Sequence, residues 1–278
     1  MAFLSTIDND SVASLPAARF PGRIVIVDSE EQIEAACLDL QRSAVIGFDT
    51  ETRPSFRAGV SYKVGLLQLS TAEVCYLFRL SHIRLDNRIL KILGSRQILK
   101  VGADIAGDIR SLHALRTFHA DGFVDLQVEA SRWGIEEKSL RKLSAIVLGE
   151  RVSKAQRLSN WEAEVLTQQQ REYAATDAWV CTRILEVLQQ SESKGGELTI
   201  ISVSPVEHTA QYRAKHKREG GESGGNESHK PKEASEAKGG KQSGKGARHH
   251  RHKRRHKATG EATRSSHSDK PTATKKQE

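Results

Sequence analysis

VIGFDTETRP, residues 45–54, reads as a buried strand that runs into two acids. Side chains alternate along a strand, so Asp49 and Glu51 project from one face. Two carboxylates set together at the end of an apolar run repel each other and resist losing their water. Some compensating partner is required, and the flanking sequence indicates where to look for it.

Upstream, RIVIVDS (23–29) reads as a strand, and Ser29 with Gln32 has the spacing of a helix capping box ahead of EEQIEAACLDLQRS. Downstream, VGLLQLS (64–70) and EVCYLFRL (73–80) form a hairpin-like pair. NRILKILGS is helical, QILKVGA a strand, and AGDIRSLHALRT helical again. FVDLQVEASRWG and SLRKLSAIVLGE read as helical segments behind a short strand. Thr167 and Gln170 make a second capping box, which opens the long amphipathic helix QQQREYAATDAWVCTRILEVLQQ. ELTIISVSP closes the domain. Strands alternating with helices predict one α/β domain with a mixed, mostly parallel central β-sheet flanked by α-helices.

The composition changes after Tyr212. Hydrophobic residues make up 37% of the 278, and none of Val, Ile, Leu, Phe, Trp, Tyr, Met or Cys occurs beyond that tyrosine. Residues 214–278 hold 18 Lys and Arg against 8 Asp and Glu, whereas residues 1–213 hold 25 against 27. Seven of the eleven histidines also lie in the tail, most of them in ARHHRHKRRHK. Such a segment cannot bury enough apolar surface to offset its ordering entropy, so residues 213–278 are expected to be disordered. Residues 1–22 are expected to be an N-terminal extension and 23–212 the folded domain. Cys37, Cys75 and Cys181 lack metal-ligand spacing and are expected to be reduced, buried thiols. With no basic n-region at the N-terminus and no long apolar run, the expectation is a cytoplasmic protein without a membrane segment.

Two further elements are expected to converge on the paired acids. Tyr173 and Asp177 lie four apart on one face of the last long helix. Asp108, in VGADIAGDIRSL, follows the carboxyl end of a strand, where sites collect in open α/β sheets. Four carboxylates in one cleft require neutralising cations. With only oxygen donors at hand, Mg²⁺ or Mn²⁺ is favoured.

FDTET, VGADIAGDIRSL and YAATD, in that order, resemble the three motifs of the DEDD 3′→5′ exonucleases, in the subclass with tyrosine in the third motif. SKAQRLSNWE, just before the third, is similar to the corresponding segment of the Werner-type exonuclease domain and ribonuclease D. The resemblance spans roughly residues 23–191 and implies a ribonuclease H-like fold. It also implies a metal-dependent 3′→5′ exonuclease that releases nucleoside monophosphates from single-stranded or recessed 3′ ends. It assigns Asp49 to bridge two divalent cations, and Glu51 and Asp177 to hold the one that activates water. Asp108 would support the second, and Tyr173 would orient the attacking water. Asp104, one turn before Asp108, reads instead as a solvated or capping residue.

Arg53, Phe56 and Lys63 follow the first motif and are candidates for the terminal nucleotide, phosphate by charge and base by stacking. Lys154, Arg157 and Trp161 are candidates in the segment before the last helix, although Trp161 also suits loop packing. The lack of extra helical domains, together with SNW, favours DNA. A ribonuclease D-like exoribonuclease in RNA processing and a non-catalytic nucleic-acid-binding module are the rival readings. All four acids and the tyrosine being present argues against the latter. The basic tail suits a polyelectrolyte arm on phosphate backbones, or a docking segment for ribonucleoprotein. Metal storage by its histidines is disfavoured by the surrounding Lys and Arg. Two near-matches carry nothing: GKQSGKG lacks the Ser or Thr of a phosphate-binding loop, and DNDS at Asp8 lacks the closing Glu of a calcium loop.

Overall fold

The computed structural model describes residues 2–192 and 197–205. The elements run α1 Asn9–Ser14, β1 Arg23–Val27, α2 Glu30–Leu40, β2 Val45–Thr52, β3 Val64–Ser70, β4 Val74–Arg79, α3 Asn87–Leu93 and β5 Leu99–Gly102. They continue with α4 Ile105–His113, β6 Ala120–Asp125, α5 Leu126–Glu129, a 3₁₀ turn Ala130–Trp133, α6 Leu140–Leu148, α7 Gln168–Gln190 and β7 Ile201–Val203. The tail expected over 213–278, with its GKQSGKG stretch, lies outside the described residues.

The seven strands form one sheet in the order β1-β4-β3-β2-β5-β6-β7. The sequence predicts a mostly parallel sheet, but the pairings divide evenly. β1/β4, β2/β5 and β5/β6 are parallel, while β2/β3, β3/β4 and β6/β7 are antiparallel. The β3–β4 hairpin and the late return of β7 account for the difference. FVDLQVEASRWG is also less helical than its periodicity suggests, because its first residues complete β6 beside β5.

Alternation sorts the core onto two faces. Phe48, Leu67, Leu69, Phe78 and Val27 pack with Ile33 of α2, Ile92 of α3 and Ile109 of α4. On the other face Leu66, Leu77 and Cys75 pack under Ala174 and Ala175 of α7, and Val101 and Val124 under Cys181 and Ile184. α7 comes unusually close to β2: a Cβ on Gly47 would lie 1.9 Å from the Ala178 carbonyl oxygen. The small side chains of AATDA permit this approach, and it brings Asp177 down to the sheet. Both capping boxes form. Gln32 Oε1 accepts from Ser29 N at 3.2 Å, and Gln170 Oε1 accepts from Thr167 N at 3.0 Å.

Residues 2–22 pack onto this body. Asp8, the false start of a calcium loop, caps α1 by accepting from Asp10 N and Ser11 N. Val12 is buried. At the other end, buried Glu129 accepts from Thr199 N at 2.9 Å and pairs with Arg132, which ties the β7 segment to the sheet. The three cysteines are buried and unbridged. No helix among the described residues is long and apolar enough to cross a membrane.

Candidate active site

β2 ends in the two facing acids. On the α7 face, carboxylate oxygens of Asp49, Glu51 and Asp177 all lie within 4.8 Å of one another. Alternation supplies the first two, and the close seat of α7 over Gly47 supplies the third. Asp108 reaches the strand end from the opposite face of the sheet. Thr50, which alternation turns away from Asp49 and Glu51, donates from Oγ1 to Asp108 Oδ1 at 2.5 Å. Three of the four predicted acids therefore form one cluster, and the fourth sits across the strand, latched by a threonine that the motif alone does not mark. Alternation could have turned that threonine to the other face of β2, but not named Asp108 as its partner.

The electrostatics follow from the crowding. Burial, together with Asp177, holds Asp49 well above the usual carboxylate range. Burial and then Asp49, Asp177 and Asp108 push Glu51 up to about 10. Asp108 is raised to about 8 by burial and Asp49, and Asp177 to about 8 by burial. Tyr173 stands next to Asp177, and its phenol is pushed up by burial and by the surrounding carboxylates. Its ring tilts against Trp161, with centroids 6.0 Å apart. Asp177 Oδ1 is buried with no hydrogen-bond donor among the described residues. An oxygen-only triad with an unpartnered buried carboxylate oxygen fits a divalent cation. The same carboxylates border a cleft of about 310 Å³ with Thr50, Asp104, Tyr173 and Arg157.

The cleft's floor and rim are fixed by further residues. Asp125, the N-cap of α5, accepts from Asp104 N at 3.3 Å and Ile105 N at 3.2 Å, holding the start of α4. Asp104 is exposed, and its φ of 66° is left-handed, the sole such non-glycine residue among those described. That conformation costs roughly 1 kcal/mol or more, and here it aims the start of α4 at the site. The reading of Asp104 as solvated agrees with its exposure, although its side chain does not cap the helix. Buried Arg79 of β4 donates to the carbonyl oxygens of Glu164, at 3.2 Å, and Ala163. It thereby pins the loop that carries Arg157.

The predicted substrate contacts separate into groups. Arg157 lines the acidic cleft. Lys154 and Lys63 are exposed, and Phe56 is 83% exposed. Arg53 lies 3.5 Å from Glu162 and stacks over Tyr62 at 4.8 Å, so it already has partners. Trp161 is a correction. It is completely buried among Leu66, Leu77, Leu166 and Ala174, so it supports Tyr173 from beneath and has no surface to offer a strand.

A mixed α/β sheet with acids gathered at the carboxyl end of a central strand defines a ribonuclease H-like domain with an acidic centre whose carboxylates could hold a metal ion. The chain belongs to the 3′-5′ exonuclease family, whose pattern matches residues 24–191. It is 36% identical over 178 residues to the bifunctional 3′-5′ exonuclease/ATP-dependent helicase WRN of Mus musculus, covering 60% of this chain and 13% of that protein. It is 29% identical over 202 residues to a 3′-5′ exonuclease of Arabidopsis thaliana, covering 63% of this chain and 67% of that one. Trypanosoma brucei RNase D in complex with RNA U12 shares the fold, with a TM-score of 0.53, 23% identity, and coverage of 69% of this chain and 70% of that one.

Proposed function

We propose that the protein is a metal-dependent 3′→5′ exonuclease of the tyrosine-bearing subclass. It would hydrolyse phosphodiester bonds from the 3′ end and release nucleoside monophosphates. The observation that carries this reading is the triad of half-buried Asp49 with buried Glu51 and Asp177, their carboxylate oxygens within 4.8 Å and Tyr173 alongside.

Asp49, Glu51 and Asp177 would hold Mg²⁺ or Mn²⁺, with Asp108 serving a second ion from across the strand. Two such ions supply a nucleophile at neutral pH and stabilise charge on attacking and leaving oxygens. The chain's own groups do the rest. Tyr173, its phenol kept protonated by burial, donates a hydrogen bond that orients the attacking water. Thr50 fixes the Asp108 carboxylate. Arg157, on the rim of the same cleft, meets a phosphate of the substrate. Arg53, Phe56, Lys63 and Lys154 would be further contacts for the strand, and the basic tail would add sequence-independent affinity.

The sugar preference separates two readings. The SNW segment favours DNA. A ribonuclease D-like exoribonuclease is the alternative, supported by the fold shared with the trypanosomal enzyme. Degradation of matched 3′-labelled and 5′-labelled DNA and RNA strands with Mg²⁺ or Mn²⁺ tests polarity, sugar preference and turnover together. Binding without degradation of any strand would replace the exonuclease by a recognition module.

A further inference from the structure

The candidate active site has a second wall, built by residues that precede the region matched by the family. A hollow of about 300 Å³ adjoins the acidic cleft and shares Tyr173 and Asp177 with it. Its far side consists of Ala17, Ala18 and Arg19 from the N-terminal segment, with Arg151 beside them.

This segment is fixed in place. Arg151 N donates to Pro16 O at 2.8 Å, and Ala18 N donates to Arg151 O at 2.9 Å. Arg151 Nε donates to Leu15 O at 2.9 Å, and Phe20 N to Thr176 Oγ1 of α7 at 3.2 Å. The Phe20 ring meets Trp179 edge-on at 5.7 Å. Ala17 and Arg151 form a parallel bridge, so the segment is extended there. Ala18 points inward, where it is buried with Val152 and Val180, and alternation turns Ala17 and Arg19 outward. Arg19 is exposed and has no carboxylate partner among the described residues. The acid of the hollow nearest in sequence to Tyr173, Glu172, is engaged by Gln168 Nε2 at 2.6 Å. Arg19 also borders a second hollow with Trp179, so it stands on a ridge between the two.

We propose that residues 15–20 are a strap that extends the substrate groove, and that Arg19 binds a backbone phosphate of the strand leading to the scissile bond. The inference rests on the exonuclease reading. A guanidinium with no carboxylate partner among the described residues, held on a fixed backbone in a hollow lined also by Tyr173 and Asp177, matches the phosphodiester geometry that arginine recognises. It offers nothing to a base edge, so the contact is independent of sequence. The ligand is the sugar-phosphate backbone common to DNA and RNA.

The test uses the full chain with Arg19→Ala and Arg19→Lys, and Arg42→Ala as a control at the opposite end of β2. Binding of fluorescent 12-mer DNA and RNA is titrated across salt in EDTA, and kcat and KM are measured with Mg²⁺ on the 12-mers and on dinucleotides. Arg19→Ala should weaken 12-mer binding roughly three- to tenfold at low salt and flatten the log–log salt slope by about 0.7. Arg19→Lys should recover most of both, and Arg42→Ala should change neither. kcat should hold, and KM should rise for the 12-mer but not for a dinucleotide too short to reach the strap. An unchanged slope, or an equal loss on dinucleotides, overturns the phosphate contact while leaving the exonuclease standing. A wild type that binds no strand removes both readings.

Discussion

Asp177 Oδ1 is a buried carboxylate oxygen without a donor among the described residues, one residue before the Ala178 carbonyl that lies over Gly47. The charge of this group and its neighbours should govern both activity and stability. Asp49→Asn should reduce turnover to less than a tenth of wild type in either metal. The same change should raise the melting temperature of metal-free protein, because it removes like-charge repulsion without opening a cavity. Tyr173→Phe should slow the single-turnover step by ~10²–10⁴-fold with little change in strand binding. Burial holds Asp108 and Asp177 up to about 8, against roughly 4 in an unfolded chain. Between those limits the native state binds more protons, so metal-free stability should fall as pH rises. Buried Lys100, held down to about 7, works in the opposite direction above that pH, so the window to examine is about pH 5 to 7. Melts in EDTA should show the decline there, and the stabilisation added by Mg²⁺ should grow with pH as the carboxylates lose their protons. At this scale the sequence was informative wherever a side chain's direction follows from period two or four. It was silent on Asp108's approach from the other face, which depends on where α4 docks.

The seating of α7 on β2 is what turns two facing acids into a three-acid centre. Gly47→Ala places a methyl against the backbone of Ala178, which cannot rotate aside, so α7 must lift. A loss of about 3 kcal/mol is expected, with activity falling further than the unfolded fraction explains because Asp177 retreats from Asp49. Thr167→Ala is the contrasting change. It removes a cap at the far end of the helix and should cost ~1 kcal/mol while kcat at low temperature stays near wild type. Chemical denaturation paired with single-turnover assays separates the two. Elements with a cap, a clear period and polar boundaries, such as α2 and α7, were readable from the chain alone. FVDLQVEASRWG was not, because β5 offered it a parallel edge that no local signal records. Trp161 had two readings, a substrate contact or loop packing, and its burial agrees with the second, because Arg79 and Leu66 draw that loop onto the core.

Across the whole chain, charge and structure are partitioned. The family match spans 24–191, and the surplus of positive charge lies beyond residue 213. Removing residues 214–278 should barely move the melting temperature, since that segment brings no large apolar side chain. It should weaken strand binding and flatten its salt slope, by roughly 0.7–0.9 for each phosphate the tail had neutralised, with turnover at saturation intact. Paired salt titrations of full-length and truncated protein check this, and equal slopes would reassign the tail to partner docking. The N-terminal segment shows what composition could not show: nothing in LPAARFPG marks a strap across α7, because its hydrogen bonds are to Arg151 and Thr176, far along the chain. The order of the sheet has one more consequence. Asp49 comes from the second strand in the chain, whereas Asp177 comes from a helix that follows six of the seven strands. A ribosome delivers residues one at a time, N-terminal first. Throughout most of synthesis the nascent chain therefore carries an incomplete centre, and it is threaded past messenger and ribosomal RNA before the last of the three clustered acids has been made.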